Sequence, residues 1–221
     1  MAPLTVWGEG RGFRVVWLLE EMGVAYTLRD VDLLKGAESD PEFMAINPGG
    51  FIPALQDGET IIVESIAIME YLMARHGGGT VLAPAQGDAA FASYLQFLHL
   101  GEAGLAAPMY FAAIPARIAP AGEGDNWTSR WAMETFESRR LLVARQLARA
   151  PYMAGDHFTA ADISITYALQ FARRVGGVTL RPEEAAYVAR TTGREAYRRA
   201  MQMCHATRAW VESLGEGPFP A

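Results

Sequence analysis

The chain has 221 residues, of which 51% are hydrophobic and 20% charged, so it is long enough for one large domain or two small ones and has a globular composition. Its net charge of −6 argues against a nucleic-acid partner, because proteins that bind nucleic acids normally present a basic face to the phosphates. Cys204 is the one cysteine, which excludes an internal disulfide, a thiolate zinc site and a dithiol redox centre.

The sequence favours a cytoplasmic protein that has no membrane partner. Its N-terminal residues lack the apolar core of a secretory signal. The longest apolar stretch, residues 61–74, contains Glu64 and Glu70 and is shorter than the ~20 residues of a membrane span. We therefore expect a soluble, intracellular chain.

The first third of the chain predicts alternating strands and helices. A strand at 4–7 runs into the glycine-rich loop Gly8–Gly12, and Gly23 is placed to end the helix that follows. Asp57 and Gly58 predict a hairpin turn between two later strands. The predicted elements are strand 4–7, helix 13–22, strand 25–33, a helical turn near 42–45, strands 52–56 and 61–63, and helix 65–76.

The rest of the chain predicts helices. Residues 1–77 carry a net charge of −7 and the remaining residues +1, which indicates two domains with different surfaces. We expect a first domain over 1–77, a linker over 78–86, and an all-helical domain over 87–221. The predicted helices are 88–118, bent at Pro108 and Pro115, then 127–150, 159–175, 183–190, 194–203 and 207–214.

The segments 47–55 and 63–68 form the strongest functional motif. A cis Ile52–Pro53 bond would leave the backbone N–H and C=O of Ile52 free to pair with an extended peptide. Glu64 and Ser65 open a helix whose N-terminus favours a carboxylate, with Ser65 as its cap and open to solvent. Together these features describe a receptor for a short anionic peptide. In the structural alternative, Pro53 only ends a loop and Ser65 only caps a helix, which explains each residue but not their spacing.

These segments resemble the cytosolic glutathione transferase family. The resemblance spans nearly the whole chain and rests on the helix start FRVVWLLEEMG, the segments NPGGFIPAL and ESIAIMEYL, and residues 154–163, where Thr159 and Asp162 form a capping box. His99–Glu102 is similar to one branch of bacterial and fungal members. The resemblance implies a thioredoxin-like N-terminal domain, an all-helical C-terminal domain and a homodimer.

The resemblance also implies which residues bind glutathione. Ile52, beside Pro53, would pair with the cysteinyl unit, and Glu64 and Ser65 would hold the γ-glutamyl end. Phe13 and Phe51 would line the same surface. Relatives often have a basic or amide side chain at the position of Phe51 for the glycyl carboxylate; here Lys35 could substitute, or it is a solvated surface lysine.

The loop after the first strand departs from the family pattern. Members place a serine, tyrosine or cysteine there to hydrogen-bond the glutathione sulfur, and this chain has Gly10. Main-chain N–H groups around Gly10 and Gly12, together with the Arg11 guanidinium, could stabilise the thiolate instead. Glu9 would raise the pKa of the thiol, so we expect it to point elsewhere or to act on the second substrate, in a cleft with Trp7 and Tyr110.

Two other kinds of site are excluded. The glycines of the loop imitate a dinucleotide-binding motif, but the third glycine of that motif would fall on Phe13. The four histidines are not at the spacing of metal ligands, so we expect no metal. The sequence therefore predicts a glutathione transferase that joins the thiolate to a small apolar electrophile or reduces a peroxide or disulfide. The alternative is a non-catalytic ligand-binding or protein-interaction member of the same fold.

Overall fold

Four short strands form one mixed sheet in the order β2-β1-β3-β4. β1 pairs parallel with β2, from Leu4 opposite Tyr26. It pairs antiparallel with β3 on its other side, where Trp7 lies opposite Ala54. The computed structural model describes residues 4–33, 35–77, 82–120 and 122–213. The strands are β1 (Leu4–Trp7), β2 (Tyr26–Arg29), β3 (Ala54–Asp57) and β4 (Thr60–Val63).

Three helices accompany the sheet: α1 (Phe13–Met22), α2 (Pro41–Ile46) and α3 (Ser65–His76). Parallel strands need a crossover connection, and α1 supplies it between β1 and β2. Seven consecutive residues of α1, from Phe13 to Leu19, are buried. Gly23 ends α1 in the left-handed conformation, as its sequence position predicts.

Three predicted strands differ in their bounds; the one predicted over 61–63 differs only by starting one residue earlier, at Thr60. The strand predicted over 25–33 covers Tyr26–Arg29, because β1 offers only the four residues Leu4–Trp7 for pairing. The strand predicted from Ile52 begins at Ala54, the partner of Trp7 at the end of the β1 ladder. Ile52 therefore lies outside the sheet.

The remaining helices agree with the predicted order. The helix predicted over 88–118 is divided into an α-helix, a π-helical stretch (Leu100–Ala106) and two more α-helices, with Pro108 and Pro115 in the first turns of the last two. The bounds are α4 (Phe91–His99), α5 (Ala107–Ala113), α6 (Pro115–Ile118), α7 (Trp127–Leu147), α8 (Ala160–Gly176), α9 (Pro182–Thr192), α10 (Glu195–Met203) and α11 (His205–Ser213).

The capping box predicted at the start of α8 is confirmed. The Asp162 carboxylate accepts the Thr159 N–H at 2.9 Å and the Met153 N–H at 2.9 Å. It also accepts the Tyr187 hydroxyl at 2.8 Å. These contacts satisfy buried donors at the helix start and give Asp162 a structural role.

The chain folds into two compact units: residues 1–80 with 194–221, and residues 81–193. The predicted linker 78–86 falls at the first of these divisions, and its residues 78–81 lie outside the described residues. The sequence division assigned 194–221 to the helical domain, whereas α10 packs on α1 of the first unit. Tyr197 of α10 lies edge-on to Phe13 and Trp17, with ring centroids 5.4 and 4.9 Å apart. Among the described residues, no helix is both long and apolar enough to cross a membrane.

Candidate functional site

The corner before β3 has the predicted backbone form. The Ile52–Pro53 peptide bond is cis. Within the described part of the chain, neither the N–H nor the C=O of Ile52 has a hydrogen-bond partner in a ladder or turn. Ile52 is partly exposed, so these backbone groups can pair with an extended ligand.

The glycine-rich loop packs against this corner. A Cβ atom at Gly8 would lie 2.3 Å from Cγ2 of Ile52, and one at Gly12 would lie 3.2 Å from Cβ of Pro53. A Cβ atom at Gly10 would meet only Cδ1 of Ile52, at 3.5 Å. Gly8 and Gly12 therefore allow the two segments to approach, and Gly10 faces more open space.

The loop offers fewer main-chain donors than the sequence predicts. Residues 10–12 form one turn of 3-10 helix, in which the Gly12 N–H donates to the Glu9 carbonyl at 3.0 Å. The expectation of a free Gly12 donor is therefore wrong. The Gly10 N–H has no acceptor among the described residues, so it is available to a ligand. Arg11 lies in the same turn and is half-buried.

Glu64 has an unusual backbone conformation at the start of α3. Its φ is 71°, and it is the non-glycine residue with positive φ in the described chain. Such a conformation is costly for a residue with a side chain, and it is typical of positions held for a function. Glu64 is exposed and occupies the N-cap position, from which its carbonyl accepts the Ile68 N–H.

Ser65 does not cap α3 and is not open to solvent. It is the first helical residue, no side-chain hydrogen bond caps the helix, and its exposure is only 2%. Both expectations are therefore wrong, and the reason is a contact that the sequence did not predict. The Ser65 hydroxyl oxygen accepts a hydrogen bond from Nη1 of Arg14 at 3.1 Å. Because the hydroxyl oxygen is the acceptor in this contact, the Ser65 hydroxyl can still donate its proton to another acceptor.

Arg14 is the functional candidate that sequence reasoning missed. Its guanidinium is fully buried in the first turn of α1, where it brings a positive charge to the N-terminus of α3. Both the charge and the helix N-terminus favour an anion at this end of the site. The available signal was an arginine on the apolar face of a helix, between Phe13 and Val15.

The two phenylalanines lie in different environments. Phe51 is 41% exposed, and its carbonyl accepts the Asn47 side-chain amide at 2.6 Å. Phe13 is 2% exposed and packs between Trp17 and Tyr197, so its predicted contact with glutathione is wrong. Lys35 is exposed, and its Nζ atom lies 3.3 Å from Oδ2 of Asp32.

Of the three residues predicted to form the second-substrate cleft, Trp7 and Glu9 belong to the first unit and Tyr110 to the second. Trp7 is 3% exposed and packs on Phe43 and Ala54 in the core, so its place in a cleft is corrected. Its indole N–H is buried without a partner among the described residues. Tyr110 lies on α5 of the second unit and is 39% exposed.

Glu9 points to the start of α11. Its carboxylate accepts the Ala206 N–H at 3.1 Å and the Thr207 N–H at 2.6 Å, and the residue is 7% exposed. The nearby Cys204 is fully buried, and burial raises its pKa, with Glu9 and Asp30 adding to the effect. Cys204 is therefore not the reactive sulfur. No group of three or more potential metal ligands occurs among the described residues.

The fold matches that of known glutathione transferases. A structure from Phanerochaete chrysosporium in complex with oxidized glutathione has a TM-score of 0.76 at 23% identity, covering 90% of this chain and 94% of that chain, and shows the fold. The structure of a theta class glutathione S-transferase from Xanthomonas axonopodis pv. citri with glutathione bound has a TM-score of 0.73 at 28% identity. The match covers 90% of this chain and 97% of that chain.

The sequence comparisons give the family. The family model "Glutathione S-transferase, N-terminal domain" matches residues 2–74. "Glutathione S-transferase 3" of Zea mays is 33% identical over 210 residues, which cover 91% of this chain and 94% of that protein. The chain therefore belongs to the glutathione S-transferase family.

Proposed function

We propose that this glutathione S-transferase binds glutathione along the Ile52–Pro53 corner and that the glutathione thiolate attacks a small apolar electrophile. The observation that carries the proposal is the unpaired backbone of Ile52, which lies against the glycine-rich loop and can pair with the cysteinyl unit. Reduction of a peroxide or disulfide by the same thiolate uses the same site.

The γ-glutamyl end is assigned to the start of α3. The exposed Glu64 carboxylate would pair with the ligand ammonium group, and Ser65 would meet the ligand carboxylate, supported by the buried charge of Arg14. Because Ser65 is 2% exposed, this contact requires a side-chain movement when the ligand enters.

Arg11 and the Gly10 N–H are the proposed stabilisers of the thiolate. A free thiol has a pKa of about 8.5, and lowering it by about 2 units, which corresponds to about 2.7 kcal/mol, makes the thiolate the main form at neutral pH. Both groups lie in the loop that packs on Ile52, and neither needs a hydroxyl at position 10. Tyr110 is proposed to contact the electrophile.

The second candidate function is glutathione binding without turnover. The observation that favours it is Gly10, at the position where relatives carry a hydroxyl or thiol.

We further propose a cytoplasmic homodimer that acts in detoxification, in which α3 and α4 pack across a two-fold axis. Light scattering coupled to gel filtration tests the dimer by its mass.

Calorimetric titration with glutathione, followed by a conjugation assay with 1-chloro-2,4-dinitrobenzene, tests the function. We expect binding and turnover, and we expect Arg11→Ala to lower kcat about tenfold or more, by the loss of about 1.4 kcal/mol of thiolate stabilisation. Arg130→Ala, which removes an exposed arginine of α7, is the matched control. It should leave kcat and the dissociation constant for glutathione unchanged. Binding without turnover would support the second candidate, and the absence of binding would contradict both.

A further inference from the structure

The direction in which glutathione would lie along the corner follows from the sheet. In the proposed function its cysteinyl unit pairs with Ile52 and its γ-glutamyl end lies at Glu64. Glu64 directly follows Val63, which is the ladder partner of Ala54. The γ-glutamyl end is therefore on the Ala54 side of Ile52. The glycyl end, beyond the cysteinyl unit, lies on the opposite side, towards Phe51.

The corner segment carries no positive charge at the glycyl end. Phe51 is 41% exposed and presents an apolar ring, whereas recognition of a carboxylate needs a cation or another hydrogen-bond donor. Residues 36–57, which include this end of the corner, contain no lysine, arginine or histidine. The segment therefore has no cationic side chain of its own to pair with a glycyl carboxylate.

The segment before α2 brings a negative charge to the same end. It contacts the corner at Gly50, where a Cβ atom would lie 3.3 Å from Cβ of Ala37. The next residue, Glu38, is exposed. Its carboxylate folds back over Gly36, where a Cβ atom would lie 2.2 Å from Oε1 of Glu38. The charge that follows directly on the Gly50 contact is therefore that of an acid.

The two basic residues of this surface are already compensated. Residues 29–51 contain Arg29 and Lys35 as their basic residues and five acids. Nζ of Lys35 lies 3.3 Å from Oδ2 of Asp32. Arg29 forms an ion pair with Glu42 of α2. The surface around the glycyl end therefore has a surplus of negative charge, and a free carboxylate placed there meets charges of its own sign.

We propose that this site prefers a γ-glutamylcysteinylglycine thiol whose glycyl carboxylate is neutralised as an amide. The inference rests on the proposed function, because the ligand uses the same corner and the same thiolate. It adds the class of thiol substrate to that function. Phe51 and Glu38 become the residues that determine specificity: Phe51 supplies no cation, and Glu38 adds a like charge. The glycyl carboxylate takes no part in attack by the thiolate, so the reaction is the same.

Three thiols that differ only at the glycyl end test this preference. They are glutathione, its glycine amide and its glycine N-(2-aminoethyl)amide, which carry a negative charge, no charge and a positive charge at this end. Dissociation constants are measured by calorimetry at low ionic strength. We expect the amide to bind about threefold more tightly than glutathione, and the aminoethylamide more tightly again. Because salt screens exposed charges, about 0.5 M NaCl should shrink these differences.

Substitutions at Phe51 test the missing cation. Phe51→Lys places a positive charge at the glycyl end and should reverse the order, so that glutathione binds about threefold more tightly than its amide. Phe51→Leu is the matched control, because it keeps an apolar, uncharged side chain. It should keep the order of the native chain. If Phe51→Lys and Phe51→Leu give the same order, Phe51 does not determine specificity.

A second pair of variants tests the negative charge. Glu38→Lys should abolish the roughly threefold preference for the amide, because it reverses the charge beside the Gly50 contact. Glu59→Lys makes the same change at an exposed position in the turn between β3 and β4, away from the corner, and should keep the preference. Equal effects of the two variants would show that net charge, rather than the charge at the glycyl end, sets the affinity.

The results for the native chain separate this inference from the proposed function. Tighter binding of the amide than of glutathione supports both. If glutathione binds as tightly as the amide or more tightly, the inference is wrong and the proposed function stands. If neither thiol binds, the proposed function fails, and this inference fails with it.

Discussion

Gly8 and Gly10 both have positive φ, and their surroundings separate their roles. Gly8 has a φ of +85° and lies where a Cβ would overlap the Cβ and Cγ2 atoms of Ile52. Gly10 has a φ of +62° and has room for a Cβ. Gly8 is required because a side chain there would overlap Ile52, and Gly10 is required by its backbone conformation alone.

Alanine substitutions at these two positions form a matched pair. Gly10→Ala should cost about 1 kcal/mol, because a left-handed backbone penalises a side chain. Gly8→Ala should cost about 3 kcal/mol, since overpacking against Ile52 adds about 1–3 kcal/mol to the same backbone penalty. It should also weaken glutathione binding. Urea unfolding gives both free energies, and equal losses for the two variants would contradict the proposed role of the Ile52 contact.

At the scale of elements, Asp57 connects the β3–β4 hairpin to α3. Its Oδ2 atom accepts the Tyr71 hydroxyl at 2.9 Å and lies 2.8 Å from Nε2 of His76. The hydrogen bond with His76, and secondarily that with Tyr71, lowers the pKa of Asp57 below its ordinary value. The hairpin that follows Ile52 and the helix that begins at Ser65 are therefore joined by a carboxylate.

This lowered pKa predicts acid sensitivity. The folded state binds a proton at Asp57 less readily than the unfolded chain, so ionised Asp57 stabilises the fold above the unfolded pKa, about 3.9. That stability is lost as the pH falls through the folded pKa. Asp57→Asn should be less stable by about 1 kcal/mol at pH 7. It should also lose less stability than the native chain as the pH falls below about 5.

Thermal unfolding from pH 7 to pH 3 checks this prediction. Asp125→Asn is the control, because the Asp125 side chain is 82% exposed in its ion pair with Arg130. The control should follow the native chain at every pH. Parallel curves for Asp57→Asn and the native chain would show that Asp57 does not contribute to acid unfolding.

At the scale of the whole molecule, the first unit consists of both ends of the chain. Tyr197 of α10 is fully buried against Phe13 and Trp17 of α1. Arg194 donates to both carboxylate oxygens of Glu21, at 2.6 and 2.7 Å. Both ends of α1 therefore depend on residues about 180 positions later in the chain.

Substitutions of two buried aromatic residues test the division of the chain into two units. Tyr197→Ala and Phe136→Ala each remove a fully buried ring, and each should cost about 3–5 kcal/mol. In hydrogen exchange, Tyr197→Ala should first lower the protection of α1 and β1, and Phe136→Ala that of α5 and α7. If Tyr197→Ala leaves α1 as protected as in the native chain, α10 is not part of the first unit's core.

Local patterns in the sequence predicted most of the architecture. The periodicity of α1, the Asp57–Gly58 turn, the Thr159–Asp162 capping box and the corner at Pro53 all depend on residues that lie close together in the chain. Turn chemistry, capping and side-chain period act over a few residues, so a single sequence records them.

Only the tertiary structure decided how distant residues are used. Three contacts join residues that are 51 to 198 positions apart in the chain. They are the hydrogen bond from Arg14 to Ser65, the Glu9 carboxylate at the start of α11, and the packing of Tyr197 on α1. No local pattern specifies the partner of such a charge or ring, because that partner depends on how the whole chain packs. For the same reason Trp7 and Phe13, which the sequence assigned to ligands, are buried in the core.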